Sequence, residues 1–299
     1  MLKQSENIVE IEGILSEVDV REGEFKNSTT NMMTPYLSGS IKVKVAQEIN
    51  KVMTDIEVPI NFFASKFTNK NTENPAYKSI MDLKNNFTSI AASDEDHADR
   101  IRISRGSISE NAFPGRDGSI VSRPQINASF FSKVSKDNCH PTANFQTVIC
   151  VGNIKEEVDY NGELTGAIIV QGIIPQYGGK VDVVDFRVVN KDAIDYINTN
   201  WNKGDTLRVA GKVNFSSKTI HEVEEVEFGE PIEKVRTIST KELIITSGSS
   251  SFDGDLAFDT DEIAKALQER QVRLNELKKQ GGASKKSEGK KNTFANLGF

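Results

Sequence analysis

An internal repeat is the feature that most restricts how this chain can fold. Four short blocks occur twice, in the same order along the sequence. The blocks at 13–19, 37–43, 56–62 and 99–103 are echoed by blocks at 152–159, 164–170, 181–186 and 205–209. Because chance rarely repeats four blocks in one order, we expect two copies of one small domain. The 299 residues suffice for two domains of ordinary size.

The first copy is predicted to contain five short β-strands, with a helix between the third and the fourth. We expect strands at 8–20, 37–45, 56–64, 100–108 and 120–136, a polar loop at 21–35, and a helix that opens at Asn74 and Pro75. Gly13 lies inside the first strand, which is typical of a bulge or of a bend at a barrel corner. This order predicts a small Greek-key barrel of the OB-fold class, and the repeat predicts two in tandem.

The alternation of apolar and polar residues assigns side chains to the two faces of the second and third strands. Lys42 and Lys44 fall between apolar residues of the second strand, so both lysines are expected on the outer face. In the third strand the same alternation places Asn61 and Phe63 outside. Burial of Phe63 under the loop at 21–35 is the alternative for that residue.

The hairpin at 100–136 is basic within an acidic protein. It contains seven Lys and Arg residues and two acids, whereas the whole chain has a formal net charge of −6. Phe113, Phe130 and Phe131 are interleaved with its arginines, and strand parity points Phe130 into the core. A basic patch with aromatic residues is the expected footprint of a site for single-stranded nucleic acid. The alternative is an ordinary hairpin with a solvated basic face.

The second copy has a different composition. Acidic residues cluster before its last strand, at Glu222, Glu224, Glu225, Glu227, Glu230 and Glu233. A phosphate chain would be repelled there. Its second strand, 167–174, is apolar on both faces, as expected of a barrel that also packs against a neighbour. We therefore expect the first barrel to supply most of the nucleic-acid affinity and the second to serve packing or self-association. Trp201 is expected in the core of the second barrel, a stacking platform for a base being the alternative.

The C-terminal part is predicted to contain a linker, a helix and a disordered tail. The helix should run over 260–280, opened by a capping box at Asp259 and ended by Gly281 and Gly282. Its apolar stripe is expected to dock on a barrel, a helix pair between subunits being the alternative. The tail ends in an apolar tip proposed to bind partner proteins, at Phe294, Leu297 and Phe299. The predicted domains are thus 1–136, 145–248 and 249–299.

Nothing in the sequence argues for an enzyme. Cys139 and Cys150 are the only cysteines, and with His140 they lack a fourth ligand at zinc spacing. No nucleophile pattern surrounds the histidines, and no glycine-rich phosphate loop is present, so no cofactor is expected. The start of the chain lacks a signal-peptide core, no apolar run would span a membrane, and reduced cysteines suit the cytoplasm, where we expect the protein to act.

These features together resemble the tandem OB-fold single-stranded DNA-binding proteins, in particular those encoded by bacteriophages. The likeness is carried by the segments 56–64 and 100–108 and by the turn of Arg116, Asp117 and Gly118, within a pattern that covers about 1–248. It implies a protein that coats single strands during replication, recombination or repair. The tail departs from the bacterial relatives, whose acidic tip ends in proline and phenylalanine, because here the acids lie inside, at 253–262.

The predicted site is one groove on the first barrel, where cations neutralise phosphates and aromatic rings stack on bases without sequence preference. Its predicted residues are Lys42, Lys44, Asn61, Phe63, Arg100, Arg102, Arg105, Phe113, Arg116, Arg123 and Phe131. Two rival classes are a protein–protein interaction module of a replication or recombination complex and an accessory subunit of an enzyme. The chain could also form homo-oligomers through its second barrel or its C-terminal helix.

Overall fold

The computed structural model describes residues 2–26, 31–115, 117–224 and 232–288, with side chains except at 217–224, 232–238 and 280–288. The first half contains β1 (Asn7–Lys26), β2 (Met33–Ile49), β3 (Val52–Ser65), α1 (Pro75–Asn86), β4 (Arg100–Pro114), β5 (Ile120–Asn127) and β6 (Ser132–Val134). The second half contains β7 (Thr142–Val158), β8 (Leu164–Pro175), β9 (Val181–Val188), α2 (Lys191–Asn200), β10 (Thr206–Glu224), β11 (Ile232–Gly248) and α3 (Thr260–Glu288).

The first five strands close into a barrel in the order β1-β2-β3-β5-β4-β1. Neighbours are antiparallel except β3 and β5, which run parallel and pair Ile60 with Ile126. α1 connects β3 to β4 and is capped by the Asn74 side chain, which accepts a hydrogen bond from the Ala76 amide at 3.0 Å. A five-stranded Greek-key barrel with a helix at this position is the OB-fold.

The second barrel repeats this topology in the order β7-β8-β9-β11-β10-β7, with α2 between β9 and β10. The register repeats as well: Leu15 lies opposite Val43 in the first barrel, and Ile154 opposite Val170 in the second. These four residues occupy matching positions in the repeated blocks. The prediction of a mostly β chain with two tandem OB-fold barrels is therefore confirmed, while the proposed domain limits stay a prediction.

The two barrels share a continuous sheet. The start of β1 pairs with β7 from Asn7 opposite Thr147 to Glu12 opposite Thr142, and this joins all eleven strands. Buried Gln47, at the end of β2, donates to the Val213 carbonyl at 2.8 Å and accepts from the Ala143 amide at 3.0 Å. Because the Gln47 amide satisfies backbone groups of both β7 and β10, these two strands of the second barrel are held against β2 of the first.

α3 docks on the second barrel, as its apolar stripe predicts. Asp259 caps the helix by accepting from the amides of Asp261 and Glu262, at 2.9 and 3.0 Å. Ile263 and Ala266 are buried in a small core of their own, together with Leu2, Val148, Cys150, Ile173, Val181 and Phe258. The strand predicted to be apolar on both faces thus packs against the barrel interior on one side and against this helix on the other.

Several element limits differ from the sequence predictions. The predicted loop at 21–35 is wrong at both ends, because β1 continues to Lys26 and β2 begins at Met33. The fifth strand stops at Asn127 instead of reaching 136. Gly281 and Gly282 do not end α3, which continues to Glu288, so the predicted disorder of 281–299 is wrong for its first part. Phe294, Leu297 and Phe299 lie outside the described residues, as do Glu225, Glu227 and Glu230.

Candidate nucleic-acid interface

The outer face of β1, β2 and β3 is the open surface of the first barrel. Alternation buries one row of β2 over 41–49 and of β3 over 56–64 and turns the other row outwards, as the sequence predicts for these two strands. Lys42 lies opposite Pro59, Lys44 opposite Glu57, and Ser38 opposite Phe63 in the β2–β3 ladder. The structure therefore places the predicted Lys42, Lys44, Asn61 and Phe63 together on this face.

Three aromatic rings cluster at one end of the face. Phe63 and Tyr36 have ring centroids 5.2 Å apart at an interplanar angle of 31°. Phe25 lies 6.0 Å from Tyr36 and 6.4 Å from Phe63. Phe63 remains 59% exposed, so the alternative expectation that the segment 21–35 buries it is wrong. Gly23 is needed beneath the cluster, because a Cβ there would come within 2.5 Å of the Tyr36 ring.

The lysines at the other end of the face are held by carboxylates. The Lys42 ammonium lies 2.5 Å from Glu17, and the Lys44 ammonium 2.7 Å from Glu95. Hydrogen bonds to these carboxylates raise the pKa of both lysines above the ordinary value. A phosphate would have to displace the carboxylates, so these lysines offer less to an anion than their number suggests.

Polar side chains connect the rings to β5. Asn61 lies beside Asn127 in the parallel β3–β5 ladder, and its carbonyl accepts from the Ala128 amide at 3.0 Å. Asn127 donates to Ser109 at 2.6 Å and accepts from Gln125 at 3.2 Å. These amides and hydroxyls form a hydrogen-bonded floor that continues the outer face towards the β4–β5 hairpin.

The β4–β5 hairpin extends beyond the barrel and carries the predicted Phe113 and Arg123 on its outer side. The Arg123 guanidinium lies over the Phe113 ring, 6.0 Å from its centroid, and is exposed. This arrangement is a cation–π contact on an accessible surface. Arg116, predicted in the turn of this hairpin, lies outside the described residues.

The inner side of the same hairpin is bound to α3 by an ion pair. Glu110 and Arg270 form a buried bidentate ion pair, in which Arg270 Nε donates to Glu110 at 2.6 Å. Glu110 also accepts from the Ser122 hydroxyl at 2.6 Å and from the Val183 amide at 3.3 Å. Burial would raise the pKa of Glu110, but the bonds from Arg270 and Ser122 bring it below the ordinary value. The hairpin is therefore fixed by α3 and β9.

The predicted arginines at the start of β4 lie beyond β1 from the aromatic cluster. Arg100 pairs with Ile14, which pairs with Lys44, so Arg100 continues the outer row of that lysine. Arg100 and Arg102 belong to the β1–β4 ladder, which is separated from β3 by a strand in either direction around the barrel. Arg102 donates to Glu12 at 2.6 and 3.3 Å, and this contact is the main cause of the lowered pKa of Glu12. Arg100 donates to the Ala98 carbonyl at 2.7 Å. Arg105 is exposed in a bulge of β4, between these arginines and the hairpin.

The parity assignment of two phenylalanines is wrong. Phe131, predicted to stack on bases, is 7% exposed and packs edge-on against Phe62 at 6.0 Å. Phe130, predicted in the core, is 53% exposed. Because β5 ends at Asn127 and the chain turns before β6, counting alternate residues through this segment inverts the two faces.

Sequence reasoning missed three residues of this surface. Phe25 lies in the segment predicted as a loop, 21–35, and Tyr36 lies between that loop and the predicted second strand. The alternation of Thr34, Tyr36 and Ser38 with Leu37 would have extended β2 and indicated the outward ring. Lys241 comes from the second barrel, and no pattern in the sequence indicates that it lies near the first.

The corresponding face of the second barrel is closed by an ion pair. Arg187, in β9, donates two hydrogen bonds to Glu157 at 2.9 Å and a third at 3.0 Å. It also lies 3.8 Å from Glu242. Trp201, predicted in the core, is buried beside Gly248, where a Cβ would come within 2.6 Å of its ring. No aromatic pair contact bridges the outer rows of β7, β8 and β9 among the described side chains.

The described residues contain no group of three or more His, Cys, Asp or Glu arranged to hold a metal ion. Cys150 is buried against the Gly204 carbonyl, and burial raises the pKa of its thiol to about 11. Cys139 is half-buried, and the two thiols are free. Within the described part of the chain, no helix has the length and apolar character needed to cross a membrane.

The YorF family model matches residues 5–280 of the sequence. The chain belongs to the YorF family. No curated protein sequence matches this YorF-family chain. Among solved structures it is similar to the wild-type single-stranded DNA-binding protein from Thermus aquaticus, with 9% identity and a TM-score of 0.48, covering 84% of this chain and 96% of that one. A deletion mutant of the same protein gives 9% identity and a TM-score of 0.47, covering 84% and 97%. The OB-fold assignment of the YorF-family chain rests on the strand order described above.

Proposed function

We propose that the first barrel binds single-stranded DNA without sequence preference along its outer face. The observation that carries this proposal is the exposed ring of Phe63, which is grouped with the rings of Phe25 and Tyr36 on a three-stranded surface. An exposed ring fixed on a rigid sheet is suited to base stacking, which is worth about 1–3 kcal/mol per base and tolerates every base. Phe25 and Tyr36 add ring area to the same platform.

The strand would run from the aromatic cluster over Asn61 and Asn127 to Phe113 and Arg123. The floor between the two ends presents amides and hydroxyls, which hydrogen-bond to sugars and phosphates without reading the sequence. At the far end, Phe113 offers a second ring and Arg123 an accessible charge. We expect Lys42, Lys44 and Arg105 to act at the margins. Arg100 and Arg102 should contribute little, because Arg102 is paired with Glu12 and both arginines lie beyond β1 from the rings.

The proposed action is physical and involves no chemistry on the nucleic acid. Such a protein would coat and protect single strands during DNA replication, recombination or repair, including those of a bacteriophage, in the cytoplasm. We also propose that the tail residues Phe294, Leu297 and Phe299 bind partner proteins of that process. The support for a non-catalytic role is that the path from the aromatic cluster to Phe113 presents rings and amides rather than clustered titratable groups.

A titration of the full chain with a fluorescein-labelled thymidine oligomer, at graded salt, tests the proposal. We expect saturable binding whose affinity falls with salt and is similar for an adenosine oligomer. Replacing Phe63 with Ala should weaken binding, and replacing the exposed Tyr160 of the second barrel with Ala should not. Wild-type protein that fails to bind at low salt would contradict the proposal.

A protein–protein interaction module is the second candidate. It is favoured by the carboxylates that already hold Lys42 and Lys44, since an aromatic face with neutralised cations also suits a protein partner. The same titration separates the two functions. An aromatic face that binds no oligomer at low salt would leave the interaction module as the better account.

A further inference from the structure

The second barrel reaches the outer face of the first through its β10–β11 hairpin. The two strands pack against β3 and β5, and they enclose a cleft of about 210 Å³ above the outer face. Lys42, Glu57 and Pro59 line the cleft from the first barrel. Phe215, Ser216, Ser239, Thr240 and Lys241 line it from the second.

Lys241 is the charged group that the second barrel places in this cleft. It lies opposite Phe215 in the β10–β11 ladder, and its ammonium lies over that ring, 5.9 Å from the centroid. Its neighbour Glu242 points to the other side of the hairpin, where it accepts from Asn214 at 2.9 Å. Lys241 has no carboxylate partner among the described side chains.

A second cation lies on the strand of the first barrel that packs against β11: Arg123 belongs to β5, and β5 contacts the strand of Lys241. The positive charge of Arg123 acts on Lys241, and burial together with this repulsion lowers the pKa of the lysine. Arg123 likewise has no ion pair among the described side chains, and its recorded contact is the Phe113 ring. Of the other charged groups in the cleft, Lys42 is paired with Glu17, and Glu57 accepts from the Ser16 hydroxyl.

We propose that Lys241 and Arg123 bracket a phosphate of the bound single strand, so that the second barrel completes the binding site of the first. Two unpaired cations from different barrels repel one another until an anion lies between them. The hydroxyls of Ser216, Ser239 and Thr240 line the same cleft, and hydroxyls commonly contact phosphate oxygens. This inference rests on the proposed function and extends it to the barrel expected only to pack.

The test is the salt dependence of oligothymidine binding in the full chain. Replacing Lys241 with Gln should weaken binding several-fold at low salt and reduce the slope of log affinity against log salt by about 0.7, the value for one phosphate on a single strand. Lys241→Arg should keep the slope near that of the wild type. Lys203→Gln, which removes an equal charge from an exposed position after α2, is the matched control and should change neither quantity.

The results separate the inference from the function on which it rests. An unchanged slope in Lys241→Gln, with binding still weakened by Phe63→Ala, would overturn the phosphate contact and leave the aromatic site standing. Equal losses in Lys241→Gln and Lys203→Gln would show only a long-range charge effect and would also overturn the contact. Absence of binding by the wild type would overturn both the inference and the proposed function.

Discussion

The two barrels share one topology but differ in the side chains that their outer faces carry. The outer face of the first barrel keeps an aromatic platform in solvent, because β1 and β2 extend past the barrel and carry Phe25 and Tyr36. In the second barrel the matching hairpin is shorter, ending at Val158 and resuming at Leu164. An ion pair between Arg187 and Glu157 stands where the first barrel has its open face. One fold thus exposes an aromatic face in one copy and an ion-paired face in the other, and the difference lies in outward residues and in strand length.

α3 strengthens this division, because it covers the second barrel and reaches across to the first. Its apolar residues Ile263 and Ala266 pack in a cluster that includes Ile173 of β8 and Val181 of β9. Arg270 holds the β4–β5 hairpin through Glu110. The hairpin face that α3 leaves free is the one with Phe113 and Arg123. Packing on the second barrel therefore positions part of the proposed binding surface on the first.

The largest expected effect comes from breaking the contact between the barrels at Arg270. Arg270→Ala leaves the buried Glu110 carboxylate with only Ser122 and Val183 as partners. Removing one member of a buried pair costs about 3–5 kcal/mol, so the urea midpoint should fall markedly. Lys265→Ala, at an exposed position of α3, is the control. Equal midpoints for the two variants would mean that the pair does not hold the hairpin.

The pH dependence of the same contact gives a second readout. The pKa of Glu110 is lowered in the folded protein, so its ionised form contributes stability above the ordinary carboxyl range. That contribution is lost as the pH falls through the lowered value. The difference in unfolding free energy between the wild type and Glu110→Gln should therefore shrink on acidification below pH 4.5, the reference value for a glutamate. A difference that grows on acidification would contradict this assignment.

A slightly smaller loss of stability is expected when the apolar contact of α3 with the second barrel is removed. Ile263→Ala removes a buried side chain and should lower the unfolding free energy by about 2–5 kcal/mol. Val272→Ala, at a position 57% exposed on the same helix, should change it by less than about 0.5 kcal/mol. Urea unfolding followed by the Trp201 fluorescence measures both. If neither variant affects the second barrel, its outer face is not stabilised by α3.

The aromatic platform should matter for binding but not for stability. Phe63→Ala is expected to weaken oligothymidine binding by about 1–3 kcal/mol, as for a base that loses its stacking partner. Tyr177→Ala in the second barrel, 85% exposed, should leave affinity unchanged. The measurement is fluorescence anisotropy with labelled oligomer. Comparable losses in the two variants would remove the distinction between the barrels.

The smallest effect is expected at the surface ion pairs. Lys44→Gln removes an exposed partner of Glu95 and should change the unfolding free energy by less than about 1 kcal/mol. Because the same change frees the Glu95 carboxylate on the binding face, affinity for the oligomer should fall slightly, most clearly at low salt. Unfolding and binding titrations of one preparation check both statements. An increase in affinity would show that Lys44 does not face the nucleic acid.

The sequence predicts the interior of this protein better than its surface. Periodicity of two residues identified the strands and their inward sides, since Ile60 or Val43 must be buried for the barrel to fold. Parity failed at Phe130 and Phe131, where a strand ended unnoticed. Lys42 pairs with Glu17 and Arg102 with Glu12, and each pair joins strands that are distant in sequence. Composition alone therefore predicted that these cations are available to phosphates. The approach of Lys241 to Arg123 depends on how two barrels pack, which local patterns do not encode.

The central claim, that the first barrel holds the strand on its outer face, is tested most directly by photocrosslinking. The full chain bound to an oligothymidine is irradiated at low and at moderate salt, and the crosslinked peptides are identified by mass spectrometry. The account predicts crosslinks at Phe25, Tyr36, Phe63 or Phe113, and none in β7, β8 or β9. Crosslinks confined to the second barrel, or to the Arg100 and Arg102 side of the first, would contradict it.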